Sequence, residues 1–486
     1  MNLTANDFKQ SVAARVWQHF YSISQIPRGS GNEQAICRFL IEFAEQHQLK
    51  WRQDSFGNIV IYKAATGGSE HRPVTILQSH VDMVEEKTDD SSHDFSCDPI
   101  QWLCDGEWLK ADSTTLGADN GIGVAAMLAV LENREINHGA IEALFTLEEE
   151  TTMAGAMAVE GQLFKGKTLI NLDSEDSRVL TVGCAGGVNL DISQTYQLEQ
   201  VNNGYCRYAI KLSGLKGGHS GCDIHLQRGN AILLMARVLA RLQSYGLRIC
   251  RFVGGTVDNA IPRSAAAEIA LPEENRAEFL SAFDRLIAEI KTELRSVDAE
   301  MCFSLEQTTD ISAVMRTDDQ VNLLNALHAC LNGVHRFSDD FKGVVETSSN
   351  LGVLKLENGQ LYAECFVRSL VDSATQDSGE KIAGQFELAG AKVERRGFFP
   401  GWKPEPASAL LDLLAEEYKL VNGDSAQVEV VHAALECGII GAELGGADMI
   451  SIGPDIENPH SPDERINIAS VDRFYQLLLN GLSSIK

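Results

Sequence analysis

Three apolar, β-favouring runs in the first third of the chain each end in ionisable residues, and this pattern constrains the fold more than any other feature. Thr75, Ile76 and Leu77 lead to His80 and Asp82. Ile141 to Leu147 leads to Glu148, Glu149 and Glu150, and Thr168 to Leu172 leads to Asp173. Apolar runs of this kind read as buried strands. A helical stretch running to about Asn133 separates the first two. The alternation predicts an α/β unit, and in open α/β sheets sites form outside the carboxyl ends of the strands. His80 and Asp82 are two apart, so on a strand they point to the same side. A carboxylate beside an imidazole is how a metal-binding histidine is held in place.

At 486 residues the chain is too long for one ordinary core and implies at least two domains. Its 41 basic and 68 acidic residues give a net charge of −27, a surface that repels nucleic acid and anionic membranes. Eleven scattered cysteines without a CxxC pair read as reduced thiols of a cytoplasmic protein. The first residues lack the basic start and apolar run of a signal peptide, and no apolar run approaches membrane-spanning length.

The periodicity predicts a helix over 6–24, carrying Phe8, Val12, Val16 and Phe20. Pro27-Arg-Gly-Ser-Gly-Asn32 breaks it, a second helix spans 33–48, and a hairpin turns at Phe56-Gly-Asn58. From Arg207 the order changes to strand, helix, strand, strand, helix, strand, and a similar order follows between 320 and 396. This predicts two α+β units side by side, a tandem repeat inserted into the α/β domain. The boundaries expected are 1–186 and 401–486 for the interrupted domain and 187–400 for the insertion.

The ionisable residues at the strand ends, with Asp119 before a helix and His460 in Asn458-Pro-His-Ser-Pro462, make one candidate constellation: His80, Asp82, Asp119, Glu149, Glu150, Asp173 and His460. Two histidines with three carboxylates suit two divalent cations, one carboxylate bridging. The donor mix favours zinc, with cobalt or manganese as substitutes. Such a pair polarises a carbonyl and activates a bridging water, and a further carboxylate must carry the proton. Of Glu149 and Glu150, neighbours at a strand end, one can ligate while the other stays free.

These stretches, in this order, resemble the dinuclear zinc peptidases of the aminoacylase and glutamate-carboxypeptidase type. Over nearly its full length the chain is similar to the aminoacyl-histidine (cytosol non-specific) dipeptidases. The resemblance rests on Gln78-Ser-His80-Val-Asp82, Leu116-Gly-Ala-Asp119-Asn-Gly-Ile-Gly123, Thr146-Leu-Glu-Glu149-Glu150, Asn171-Leu-Asp173-Ser-Glu175, Gly217-Gly-His219-Ser, His432-Ala-Ala-Leu-Glu436 and Asn458-Pro-His460-Ser-Pro-Asp-Glu464. It implies that His80 and Asp173 hold one metal, Glu150 and His460 the other, that Asp119 bridges both, and that the Asp119–Asn120 peptide is cis. It also implies that Asp82 orients His80 and that Glu149 is the general base and then acid. The insertion becomes a lid, with His219 at the scissile carbonyl and Asn259 and Arg368 on the substrate. A guanidinium suits a free C-terminal carboxylate.

Gly121-Ile-Gly-Val-Ala-Ala126 also matches a dinucleotide fingerprint. No apolar strand leads into it, however, and Asp119 sits where a pyrophosphate would. His432 and Glu436, four apart, could share a helix face, but the resemblance gives them no ligand role. The sequence therefore reads as a cytoplasmic metallodipeptidase acting on unblocked dipeptides, Xaa-His (carnosine-like) substrates included, with a homodimer open and no nucleic-acid or membrane partner. An aminoacylase or carboxypeptidase of the same family is the alternative, and a relative that binds metal without catalysis is the non-enzymatic one.

Overall fold

The computed structural model describes residues 3–309 and 313–486. The chain divides into two compact units. One comprises the described residues up to Gly183 with Trp402–Val430 and Leu435–Lys486; the other comprises Cys184–Gly401 and Val431–Ala434.

The first unit opens with helix α1 (Ala14–Ser24), which buries Val16, Trp17, Phe20 and Ile23. It starts later than the periodicity predicts, and Val12 is 60% exposed. The Asp472 carboxylate accepts the Ala13 N–H at 2.9 Å and so fixes the chain just before the helix. Phe8 remains buried through a short 3-10 turn and stacks on Trp17, ring centroids 4.3 Å apart. Helix α2 (Gln34–Gln46) and the antiparallel strands β1 (Lys50–Gln53) and β2 (Ile59–Lys63) follow as expected. Then come β3 (Thr75–His80), α3 (Ala118–Glu132), β4 (Ile141–Thr146), the single-turn helix α4 (Glu149–Thr152), β5 (Thr168–Asn171) and β6 (Val179–Cys184). Every residue of β3 and β4 is buried, as in strands covered on both faces. Helix α3 is apolar all round and buried from Asn120 to Leu131, the mark of an interior helix.

The second unit is one nine-stranded sheet with its core on one face. Its elements are β7 (Gly186–Thr195), β8 (Tyr205–Ser213), α5 (Ala231–Leu242), β9 (Arg248–Gly254), β10 (Ala265–Pro272), α6 (Arg276–Leu294) and β11 (Cys302–Gln307). They continue with α7 (Thr317–Ala329), β12 (Gly333–Phe337), β13 (Val345–Glu357), β14 (Gln360–Ser369), α8 (Asp372–Leu388) and β15 (Lys392–Phe399). The sheet runs β11-β8-β10-β9-β13-β14-β7-β15, with β12 beside β13. Alternate residues such as Leu190 and Ile192, Tyr208 and Ile210, and Leu354 and Leu356 join Leu239, Phe279, Leu324 and Phe386 of the helices in one core. Each such side chain, fully buried, contributes about 1.5–3 kcal/mol of hydrophobic stabilisation before entropy is counted.

The repeat is real but nested rather than tandem. One copy is β8-α5-β9-β10-α6-β11. The other takes β7 as its first strand, before that copy begins, and resumes with α7-β13-β14-α8-β15. Read from its outer edge, each has the strand order fourth, first, third, second. They join where β9 and β13 pair antiparallel, Phe252 opposite Leu356 and Gly254 opposite Leu354.

The chain returns to the first unit through α9 (Ala409–Asn422), β16 (Gln427–Val431), α10 (Glu436–Glu443), β17 (Asp448–Ser451) and α11 (Ile468–Ser484). The main sheet runs β1-β2-β4-β3-β5-β17-β6-β16. Its centre, β4-β3-β5-β17, is parallel, β1 and β2 are antiparallel to their neighbours, and β6 is antiparallel to β17. Glu436 opens α10 while His432 lies before it, so the two do not share a helix face.

Candidate metal centre

The parallel strands β3, β4 and β5 deliver their ends side by side, with His80 opposite Thr146 and Gln78 opposite Asn171. His80 closes β3, Glu149 and Glu150 open the turn after β4, and Asp173 follows β5. Asp119 enters from the first turn of α3, joined to Asn120 by a cis peptide bond. His460 comes from the loop of a small hairpin, Ile456–Glu457 with Arg465–Asn467.

The donor atoms fall into two groups that share Asp119. His80 Nε2 is 3.1 Å from Asp119 Oδ1 and 3.4 Å from Asp173 Oδ1. His460 Nε2 is 3.0 Å from Asp119 Oδ2 and 2.9 Å from Glu150 Oε2. Donors on one tetrahedral zinc lie roughly 3.3–3.5 Å apart, so both groups fit a small divalent cation. Donor atoms of His80, Asp119 and Glu150 lie within 4.8 Å of one another, which keeps the two groups in one compact centre. Glu150 Oε1 is buried without a hydrogen-bond partner, as a ligating carboxylate stripped of its cation would be.

Asp82 is fully buried and contacts more than His80. Its Oδ1 lies 3.3 Å from His80 Nδ1 and accepts the Glu149 N–H at 3.1 Å, while Oδ2 accepts the Glu150 N–H at 3.2 Å and the Ser30 hydroxyl at 2.8 Å. One carboxylate thus fixes a histidine and the turn that carries two glutamates.

The charges are strongly coupled. Burial opposes the His80 cation, but Asp173, Asp119 and Asp82 around it outweigh that and hold its pKa well above the ordinary value. Hydrogen bonds that His460 donates to the Asp119 and Glu150 carboxylates raise its pKa to about 11. Burial, with Asp119 and Glu150 nearby, lifts Asp173 to about 6 against the pull of His80. Glu149 is raised well above the carboxylate range, chiefly by burial and then by Asp173, Glu436 and Glu150. A buried carboxyl of this kind holds a proton readily, the property a general acid–base group needs.

Sequence reading missed the groups that hold this centre. Arg28, 2% exposed, donates through Nη1 to the carbonyls of Val81 and Asp82 and through Nη2 to that of Gly117. Glu33 accepts the Glu148 N–H, and Glu464 accepts the N–H groups of Leu116, Gly117, Ala118 and Asp119. Beneath the ligands lies a buried polar layer. Glu436 Oε2 accepts from Gln78 Nε2 at 2.6 Å and Thr146 Oγ1 at 2.8 Å, and Asn171 Nδ2 donates to Gln78 Oε1 at 2.6 Å. The signal was present as polar residues, Gln78, Thr146 and Asn171, at the ends of otherwise apolar strands.

His219, Asn259 and Arg368 belong to the second unit. Gly218-His219 pairs with Ala260-Ile261, and the Asn259 carbonyl accepts the Ser220 N–H at 2.8 Å. His219 Nδ1 accepts the N–H groups of Gly221 (3.2 Å) and Cys222 (3.1 Å), so the proton of the neutral ring sits on Nε2. Burial and then the Arg368 charge lower its pKa and keep it neutral. Arg368 Nη2 is 3.5 Å from His219 Nε2. Both are donors, so neither satisfies the other. Arg368 lies 4.3 Å over the Phe366 ring, is 5% exposed, and its Nε has no partner. Both glycines before His219 have positive φ, and a Cβ on Gly218 would come within 2.5 Å of Asp223 Oδ2.

Residues 210–301, most of the first copy in the second unit, match the peptidase dimerisation domain family. The chain is 39% identical over 472 residues to the cytosol non-specific dipeptidase of Escherichia coli (strain K12), covering 97% of each. It superposes on the crystal structure of the aminoacylhistidine dipeptidase from Vibrio alginolyticus with a TM-score of 0.94 and 41% identity, covering 99% of this chain and 98% of that one. Aminopeptidase PepT from Bacillus cereus ATCC 10987 shares the fold at a TM-score of 0.55 and 16% identity, over 97% of this chain and 98% of its own. With two donor groups sharing one carboxylate, and near-complete likeness to these proteins, the chain belongs to the cytosol non-specific dipeptidase family of M20 peptidases.

Proposed function

We propose that this chain is a metal-dependent dipeptidase that hydrolyses unblocked dipeptides, Xaa-His dipeptides among them, in the cytoplasm. The observation that carries the reading is Asp119, with one oxygen toward His80 and the other toward His460. The metal set is His80, Asp119 and Asp173 on one side and Asp119, Glu150 and His460 on the other. Zinc suits these donors, and cobalt or manganese would substitute. Two bound cations would polarise the scissile carbonyl and acidify the attacking water. Glu149 takes the proton from that water and passes it to the leaving amine, and Asp82 keeps His80 and the Glu149 turn in register.

Arg368 takes the C-terminal carboxylate of the dipeptide, His219 donates Nε2–H to the carbonyl oxygen as negative charge builds on it, and Asn259 steadies the peptide. The chemistry of the His219–Arg368 pair supports this: two neighbouring donors, one a permanent cation, favour an anionic or polarised oxygen. The match to a dimerisation domain supports a homodimer, which light scattering would register as twice the mass of the chain. The cytoplasmic setting rests on the cytosolic name of the Escherichia coli relative. Among the described residues no helix is long and apolar enough to cross a membrane.

The test is hydrolysis of alanyl-histidine and its N-acetyl form by protein stripped with chelator and reloaded with zinc, cobalt or manganese. Metal-dependent cleavage of the free dipeptide alone supports the reading. Cleavage of the acetylated compound would make the chain an aminoacylase.

A further inference from the structure

We propose that Arg28 and Glu464 are positioning residues that clamp the turn carrying Asp119, so that its two oxygens meet two cations. The proposal rests on the metal-centre reading above. Asp119 can bridge only if its backbone is held between the ends of two other segments, that of His80 and that of His460. The structure supplies one buried group for each side. Arg28 Nη1 donates to the carbonyls of Val81 at 2.8 Å and Asp82 at 2.9 Å, and its Nη2 donates to the carbonyl of Gly117. It therefore ties the end of the His80 strand to the Asp119 turn. Glu464, four residues beyond His460, accepts four consecutive N–H groups of the same turn: Leu116 at 2.7, Gly117 at 2.9, Ala118 at 2.7 and Asp119 at 3.2 Å. It therefore ties the turn to the His460 segment.

The clamp tolerates little change. A Cβ on Gly117 would lie 2.4 Å from Arg28 Nη2 and 2.7 Å from Met83 Sδ, and one on Gly121 would lie 2.6 Å from Arg28 Nη2. A planar fork that reaches three carbonyls is specific to arginine, since lysine offers one point charge. A carboxylate that accepts from four amides cannot be copied by glutamine, whose NH2 would face N–H donors. The charge matters as well. Arg28 is buried beside Glu464, Asp82, Asp119 and Glu150, so it offsets part of the repulsion among the acidic ligands while leaving their oxygens free for cations.

The test compares Glu464→Gln and Arg28→Lys with wild type and with a matched control, Glu142→Gln. Glu142 is also buried and accepts backbone N–H groups, those of Lys165 and Gly166, but none on a ligand segment. Zinc affinity is measured on the folded proteins by competition with a chelating dye, without substrate, and thermal midpoints are taken on the metal-free proteins. The expected result is at least a tenfold loss of zinc affinity in Glu464→Gln and Arg28→Lys, with a lowered midpoint but unchanged affinity in Glu142→Gln. If one clamp variant does not fold, the other carries the comparison. Clamp variants that behave like the control, less stable but binding zinc as tightly as wild type, would overturn the proposal. Wild type that binds two zinc ions yet cleaves no dipeptide would instead remove the functional reading and leave this comparison intact.

Discussion

Asp119 and Glu149 differ in what surrounds each carboxyl. Asp119 is pulled toward the charged form by His460 and His80 despite its burial, as a bridging ligand requires. Glu149 is pushed toward the neutral form by burial and by other carboxylates. Glu149→Gln keeps the size and removes the proposed base. It should lower kcat by about 10²–10⁴-fold with two metals still bound, as read by steady-state kinetics and metal analysis on one preparation. A variant with near-normal kcat would take the base role from Glu149. Arg368 makes a parallel case for the substrate. A hydrogen bond to a charged group is worth roughly 1.5–3 kcal/mol. Arg368→Ala should therefore cost about 10–100-fold in kcat/KM toward free dipeptides. The variant should also treat a dipeptide and its C-terminal amide alike, whereas wild type prefers the acid.

Elements hold these residues through close approach. A Cβ on Gly123 of α3 would come within 2.2 Å of Asn120 Oδ1 and 2.7 Å of both the Leu172 carbonyl and Ser79 Oγ. Gly123→Ala should push α3 off β3 and β5, with an overpacking cost of about 1–3 kcal/mol, visible as a lower urea midpoint and weaker metal binding together. In the second unit, the His432 segment packs its carbonyl against Gly221, and His432 Nε2 lies 2.7 Å from Ser348 Oγ. Burial and then Arg368 hold its pKa down to about 3. Between about 3 and the ordinary value near 6.5 the unfolded chain binds the extra proton. Stability from this group is intact above 6.5 and falls on acidification, by up to about 1.4 kcal/mol per pH unit. His432→Gln should therefore lose less stability than wild type between pH 7 and pH 5, compared by urea midpoints; equal losses would show that His432 charges normally in the folded protein. The ligand-bearing elements were legible because apolar runs ending in acid leave few alternatives. The nesting of the two copies was not, although Val188, Leu190 and Ile192 alternate as a strand should: β7 pairs with β14 and β15, more than 160 residues away in sequence, and no local pattern reports such a partner. Arg28 was hidden for a similar reason. Beside a proline and glycines it reads as a turn residue, and only the fold buries it among three carbonyls.

At the scale of the molecule, a dense acidic centre in a chain of net charge −27 gains from cations that the unfolded chain binds far less well. Binding adds RT ln(1 + [L]/Kd), about 2.7 kcal/mol at a hundredfold excess over Kd. Chelator should therefore lower the thermal midpoint, and zinc should restore it in proportion to the logarithm of its free concentration. A midpoint indifferent to chelator would mean that no cation is bound by the folded form. Anomalous diffraction from zinc-loaded crystals reads the shared ligand directly. Two peaks are expected roughly 3.5–4 Å apart, one beside His80 and Asp173, the other beside His460 and Glu150, with the Asp119 carboxylate between them. A single peak, or two that do not share Asp119, would show that Asp119 is not a bridge.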